Sequence, residues 1–160
     1  MAEKTKYRVG DIFSLETDTG IAFFQCVALA RSKNELDIIR VFANVYPVPC
    51  IIELSLVTAR TNYFFLKYPL AYTHRSLRVK HVGFCELGHE ISVPNCSRIL
   101  IRDNQGNPYW QVWDGRKIHK KKKLSKKEKT YSPLVFWNDE MIANQLDAGF
   151  TLERWGIEYF

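Results

Sequence analysis

The chain has 160 residues, 46% of them hydrophobic and 14% aromatic, which is enough apolar material to offset the entropy of ordering and excludes an intrinsically disordered chain. Its formal charge of +6 is local: nine of the 23 Lys and Arg and one of the 17 Asp and Glu lie between Arg116 and Tyr131, so that stretch carries +8 and the remainder −2. A uniformly basic surface is thereby excluded, and the expectation is one near-neutral domain over residues 1–160 with a basic loop at 116–131.

The opening Met1-Ala2-Glu3-Lys4-Thr5-Lys6 is polar and charged, and no later run approaches the roughly 18 apolar residues of a membrane span. A cytoplasmic protein without membrane contact is expected. From Tyr7 to Arg31 the pattern is a β-hairpin: Ile12, Phe13 and Leu15 precede an Asp18-Thr19-Gly20 turn whose residues tolerate positive φ. Beyond the turn Ile21, Phe23 and Val27 fall on one parity and Ala22, Phe24, Cys26 and Ala28 on the other. A strand apolar on both faces must be covered on both, so this one is predicted to be central.

Leu36 to Val45 is the third strand by its β-branched content, completing a meander. Tyr46-Pro47-Val48-Pro49 leaves the sheet, because each proline lacks an N–H donor. Ile51 to Ala59 suits either a short helix or a strand, and Tyr63-Phe64-Phe65-Leu66 either an apolar strand or the wall of a surface groove. Leu77 to Phe84 is a further strand. Ser97 to Asp103, a turn through Asn104 to Pro108, and Tyr109 to Trp113 form a second hairpin system that reverses again at Asp114-Gly115.

One helix is predicted late. Asn138 is its N-cap, Asp139 and Glu140 lie on its first turn, Met141, Ile142 and Leu146 share a face, Gly149 ends it, and Trp137 packs on Ile142 as a hydrophobic staple. The tail from Phe150 to Phe160 carries too much apolar surface to hang free and should dock on the sheet. The fold class is therefore mainly β (α+β): a strongly bent antiparallel sheet or SH3-like barrel with a C-terminal helix packed on it.

Chemistry-bearing motifs are few. Cys26, Cys50, Cys85 and Cys96 show no CxxC pairing and are expected as reduced core thiols. His81, Cys85, His89 and Cys96 cluster within sixteen positions, yet Cys85-x3-His89 matches no metal or nucleophile signature, and a strand with incidental histidines explains it. There is no GxSxG, HExxH or glycine-rich phosphate loop, so binding rather than catalysis is expected, with no cofactor and no metal. Between Lys117 and Lys129 like charges repel and stay solvated, which predicts a mobile loop; contact with an acidic protein surface or with a phosphate backbone is the functional alternative. No stacking aromatic occurs in the run before Tyr131, which disfavours nucleic acid.

Tyr7-Arg8-Val9-Gly10-Asp11-Ile12-Phe13-Ser14-Leu15, then a turn and Ile21 to Val27, resembles the opening of the immunity protein 26 family of bacterial polymorphic toxin systems. The Gly83-Phe84 bend, Trp110, Trp113 and the late helix follow in the family's order over nearly the whole chain. Phe24-Gln25-Cys26-Val27, where members often carry a glycine and an arginine, and the long lysine run depart from its pattern. The resemblance implies an antidote that binds and neutralises a cognate toxin without catalysis. A toxin with an acidic face is the electrostatic match to the basic arm. The candidate toxin-binding residues are then Tyr63, Tyr68 and Tyr72 on one stretch, Tyr109 and Trp113 on another, and Lys120, Lys121, Lys122 and Lys123; the same aromatics also suit a core. A nucleic-acid-binding β-barrel module using the lysine-rich loop is the alternative.

Overall fold

A computed structural model describes residues 6–160; the polar opening stretch, apart from Lys6, lies outside the described residues. Among the described residues eight strands form two antiparallel sheets. β1 (Asp11–Glu16), β2 (Ile21–Ala28), β3 (Asp37–Tyr46), β4 (Tyr63–Tyr68) and β5 (Val79–Phe84) make a five-stranded sheet in the order β4-β3-β2-β1-β5. β6 (Ser97–Arg102), β7 (Pro108–Trp113) and β8 (Ile118–Lys121) make a second sheet of three. β4 and β5 stand at the edges of the larger sheet rather than pairing with each other, so of the two forms expected it is an open sheet, not a closed barrel.

β2 is the central strand, with its neighbours supplied by the meander. One of its faces sends Ala22, Phe24 and Cys26 into the main core, where they meet Phe13, Val41 and Phe64. The helix α2 (Asp139–Asp147) closes that core with Ile142, Ala143 and Leu146. The other face of β2 places Phe23 with Ile12, Phe42 and Val57, the last from the short helix α1 (Leu54–Thr58). The ambiguous stretch after the prolines is thus helical, and it is there to cover the second face. Each fully buried Phe contributes about 1.5–3 kcal/mol of transfer free energy, so coverage of both faces is what makes a central strand of this composition stable.

Three details differ from the sequence expectations. Gly20 does not use a positive φ; it is glycine because a Cβ there would lie 2.1 Å from the Tyr46 carbonyl oxygen of the neighbouring strand. Met141 is 45% exposed, and the buried face of α2 runs through Ile142, Ala143 and Leu146 instead. The basic stretch is not one loop: Ile118–Lys121 is β8, and Glu128–Thr130 is a short 3₁₀ helix.

The cap of α2 is as predicted. The Met141 amide donates to Asn138 Oδ1 at 2.8 Å, Trp137 and Ile142 share the main core, and Gly149 has φ 78° just beyond the helix. At the other end Asp147 accepts the amides of Asp18 at 2.8 Å and Thr19 at 3.3 Å, tying the helix to the β1–β2 turn. The segment after the basic arm covers the free edge of β4. Phe65 N–H donates to Ser132 Oγ at 2.9 Å and Lys67 N–H to the Val135 carbonyl at 2.9 Å, so these edge donors are satisfied within the chain. The same segment links the two sheets.

Candidate functional site

The site is built by strand alternation in the small sheet. Arg98 pairs across from Val112 and Leu100 from Trp110, while Val112 faces His119 and Trp110 faces Lys121 on β8. All six therefore share one face of the sheet, and Tyr109, Gln111, Trp113, Ile118 and Lys120 take the other. The first face carries the third core, Trp110, Val112 and Leu124, which Trp155 of the tail joins to the main core.

Arg98 is the unusual group here, 1% exposed and without a carboxylate partner among the described residues. Its guanidinium is held by backbone carbonyls alone: Nε donates to Tyr131 O at 3.1 Å, Nη2 to Lys129 O at 2.9 Å, and Nη2 also to Leu152 O. Its Cζ lies 4.6 Å from the Trp110 ring and 4.9 Å from the Trp155 ring, and the two indoles meet edge-on at 5.0 Å. Burial brings the Arg98 pKa down to about 10, so the charge is intact at neutral pH. Above it opens a cavity of about 240 Å³, walled by Trp110, Trp155, Ile157 and Phe160, with Lys122, Lys123, Lys129 and Glu153 among its lining residues.

Two acids order the basic arm. Asp114 accepts the Lys117 amide at 2.9 Å, the Arg116 amide at 2.8 Å and His119 Nε2 at 2.7 Å; these donors, the Lys117 amide first, hold its carboxyl far below the usual carboxylate range. Glu128 binds Lys121 Nζ at 2.6 Å and the Ser125 amide at 2.7 Å. Burial works against the Glu128 charge, but the Lys121 ammonium and Ser125 outweigh it and keep the carboxyl below its ordinary value. Backbone pairing with β7 does the rest. Like-charge repulsion is therefore overcome where β8 forms, and Lys117, Lys120, Lys122, Lys123, Lys126, Lys127 and Lys129 are left exposed.

The sequence-predicted residues divide. Tyr109, Trp113 and Lys120 share the outer face of the small sheet, with Lys120 Nζ 4.1 Å over the Tyr109 ring; Lys122 and Lys123 line the cavity. Lys121 points to the opposite face and is taken by Glu128, so it is not a free contact residue. Tyr63 and Tyr68 belong to the large sheet. Tyr68 is 4% exposed, its hydroxyl pKa pushed up by burial and by Asp139, so as an interface anchor it is corrected to a core residue. Tyr63 is half-buried against Phe65, its ring 5.0 Å from the Arg40 Cζ. Tyr72 is 56% exposed on the 3₁₀ helix Leu70–Arg75, apart from the cavity.

The thiols and histidines do not assemble. Cys26 is buried, while Cys50, Cys85 and Cys96 are half-buried and all four are free. His81 Nε2 lies 3.1 Å from the Asp11 carboxylate and its ring packs on Tyr7 and Phe13. Among the described residues no three His, Cys, Asp or Glu side chains come together in a way that would hold a metal ion, and no helix is long and apolar enough to cross a membrane.

Sequence reasoning missed Arg98, Lys129, Trp155 and Phe160. Arg98 had one legible signal: it is a charge on the same parity as Leu100 in a strand otherwise apolar at Ile99, Leu100 and Ile101. Comparison with protein-family models, curated proteins and solved structures returned no match to this chain.

Proposed function

We propose that this chain is an immunity protein of a bacterial polymorphic toxin system, neutralising a cognate toxin by binding an acidic face of it through the ordered lysine arm and the outer face of the small sheet. The observation that carries the reading is electrostatic. Seven exposed lysines, Lys117, Lys120, Lys122, Lys123, Lys126, Lys127 and Lys129, project from an arm stapled by Asp114 and Glu128, on a body that is otherwise near neutral. A preordered charged patch steers an oppositely charged partner and loses little entropy on binding. Beside it, half-buried Tyr109 and Trp113 are amphipathic side chains of the type that anchors tight interfaces. The resemblance of the Tyr7–Val27 stretch to the immunity protein 26 family supports the same conclusion.

The test is the neighbouring reading frame, which is expected to encode a toxin domain, and co-expression of this chain with that domain. Protected cells and a stable complex are expected; cells that die as fast as those lacking the chain would refute the assignment. Charge reversal at Lys122 and Lys123, which pair with no acid among the described residues, should slow association and reduce its salt sensitivity.

A second reading, nucleic-acid binding, gains one observation. Aromatics absent from the lysine run in sequence are brought beside it in space: Tyr109 under Lys120, and Trp110, Trp155 and Phe160 next to Lys122 and Lys123. Submicromolar affinity for an oligonucleotide at physiological salt, lost on neutralising Lys120, Lys122 and Lys123, would favour it, because non-specific complexes are typically far weaker.

A further inference from the structure

We infer that the cavity over Arg98 is an anchor pocket for a single aromatic side chain presented on an acidic segment of the partner; the inference rests on the immunity reading and specifies how that partner is held. Three observations converge. First, the walls are Trp110, Trp155 and Phe160; Trp110 is buried beneath Phe160, which stacks on it at 6.1 Å and 25°, so an entering ring meets the exposed Phe160 and the half-buried Trp155. Second, the volume of about 240 Å³ is small for a drug-sized ligand, whose pockets start near 300 Å³, but ample for one side chain. Third, the charge is one-sided. The side chains of Arg98, Lys122, Lys123 and Lys129 against that of Glu153 give a net side-chain charge of +3 around the cavity, and among the described residues none of these four cations has an ion pair within 4.0 Å.

Each feature has a physical consequence for the occupant. Arg98 is pinned by three carbonyls and lies over both indoles, so its positive charge is fixed beneath the pocket rather than free to follow a ligand. A fixed cation under an aromatic wall rewards an electron-rich ring above it. The lysines at the mouth are long and exposed, placed to reach carboxylates on either side of the inserted residue. A buried aromatic surrounded by a polar rim that excludes water is the arrangement that concentrates binding energy in a protein interface. The occupant is therefore an aromatic residue flanked by Asp or Glu. A lysine-flanked segment would meet four cations.

Ile157 gives a clean perturbation, because it lines the cavity yet is 65% exposed and lies in none of the three cores. The probes are N-acetyl-Glu-Phe-Glu-amide, its Lys-Phe-Lys counterpart and adenosine monophosphate, titrated into the full chain while the four indole N–H signals are followed by NMR. The acid-flanked peptide is expected to shift the Trp110 and Trp155 signals saturably, with Trp113 and Trp137 much less affected, and Ile157→Glu should weaken it at least about tenfold. The same variant should weaken binding of the toxin domain that co-expression identifies as the cognate one to a similar degree. Equal binding of the lysine-flanked peptide, stronger binding by adenosine monophosphate, or no shift of either indole overturns the pocket. Toxin affinity unchanged in Ile157→Glu also overturns the inference while leaving the immunity assignment intact. A wild-type chain that takes the acidic peptide in this pocket but not the toxin would instead refute the immunity assignment and leave the pocket chemistry standing.

Discussion

Replacing Arg98 with Met tests whether a buried cation with no counter-ion is structural cement. The Arg98→Met chain keeps most of the apolar stem but withdraws the donors from Tyr131 O, Lys129 O and Leu152 O. The three carbonyls are only part-buried, so each left unpaired costs about 1 kcal/mol, the low end for a lost partner, and the two indole contacts add about 0.5–2 kcal/mol each. Against this, removing a charge from a dry site returns several kcal/mol of desolvation, as it does when buried ionic groups are replaced by apolar ones. The carbonyl and indole losses exceed that relief, for a net destabilisation of about 2–4 kcal/mol. Urea unfolding followed by tryptophan fluorescence measures it. Hydrogen exchange should speed up selectively in residues 128–132 and 150–157, the segments Arg98 holds against β6. Arg98→Lys, which retains the charge but not the fork, should fall between the two. A loss below about 1 kcal/mol, or a gain, would refute the clamp and mean that desolvation dominates the site.

Asn138→Ala removes the acceptor for the Met141 amide and should cost about 1 kcal/mol, lowering the thermal midpoint by about 2–4 °C. Gly156→Ala should destabilise by about 1–3 kcal/mol and perturb the indole of Trp110, since Gly156 has φ +80° and a Cβ there would lie 2.5 Å from Trp110 Cζ2; an unchanged midpoint would mean that the tail does not seat on Trp110. Cys26 is pushed from an ordinary 9.0 up to about 12, by burial first and then by Asp37 and Asp11. Its neutral form is thus favoured in the folded chain, so the stability it contributes is complete below pH 9 and is lost as pH rises toward 12, at up to about 1.4 kcal/mol per pH unit. Urea midpoints of wild type and Cys26→Ala measured from pH 8 to 11 should converge; parallel curves would contradict the burial of this thiol.

Local sequence signals sufficed for the elements whose partners are near in the chain. Apolar residues on both parities of Ile21 to Ala28 announced a central strand, Tyr46-Pro47-Val48-Pro49 ended the meander, and Asn138 with Gly149 bounded the late helix, because alternation, missing donors and caps act within a few residues. Tertiary structure alone decided the rest. That Ile51 to Ala59 yields a helix follows from the need to cover Phe23 and Phe42, a demand made by strands well upstream. That the lysine stretch pairs as β8 follows from Asp114, Glu128 and the open edge of β7, which together outweigh the repulsion expected of isolated like charges. The cavity was the least legible feature, because Arg98, Trp110, Lys122 and Trp155 come from four separate segments and meet only when the tail folds back between the two sheets. Sequence patterning specifies which side chains must leave water; which of them then meet is set by long-range packing, for which a single chain carries no periodic signal.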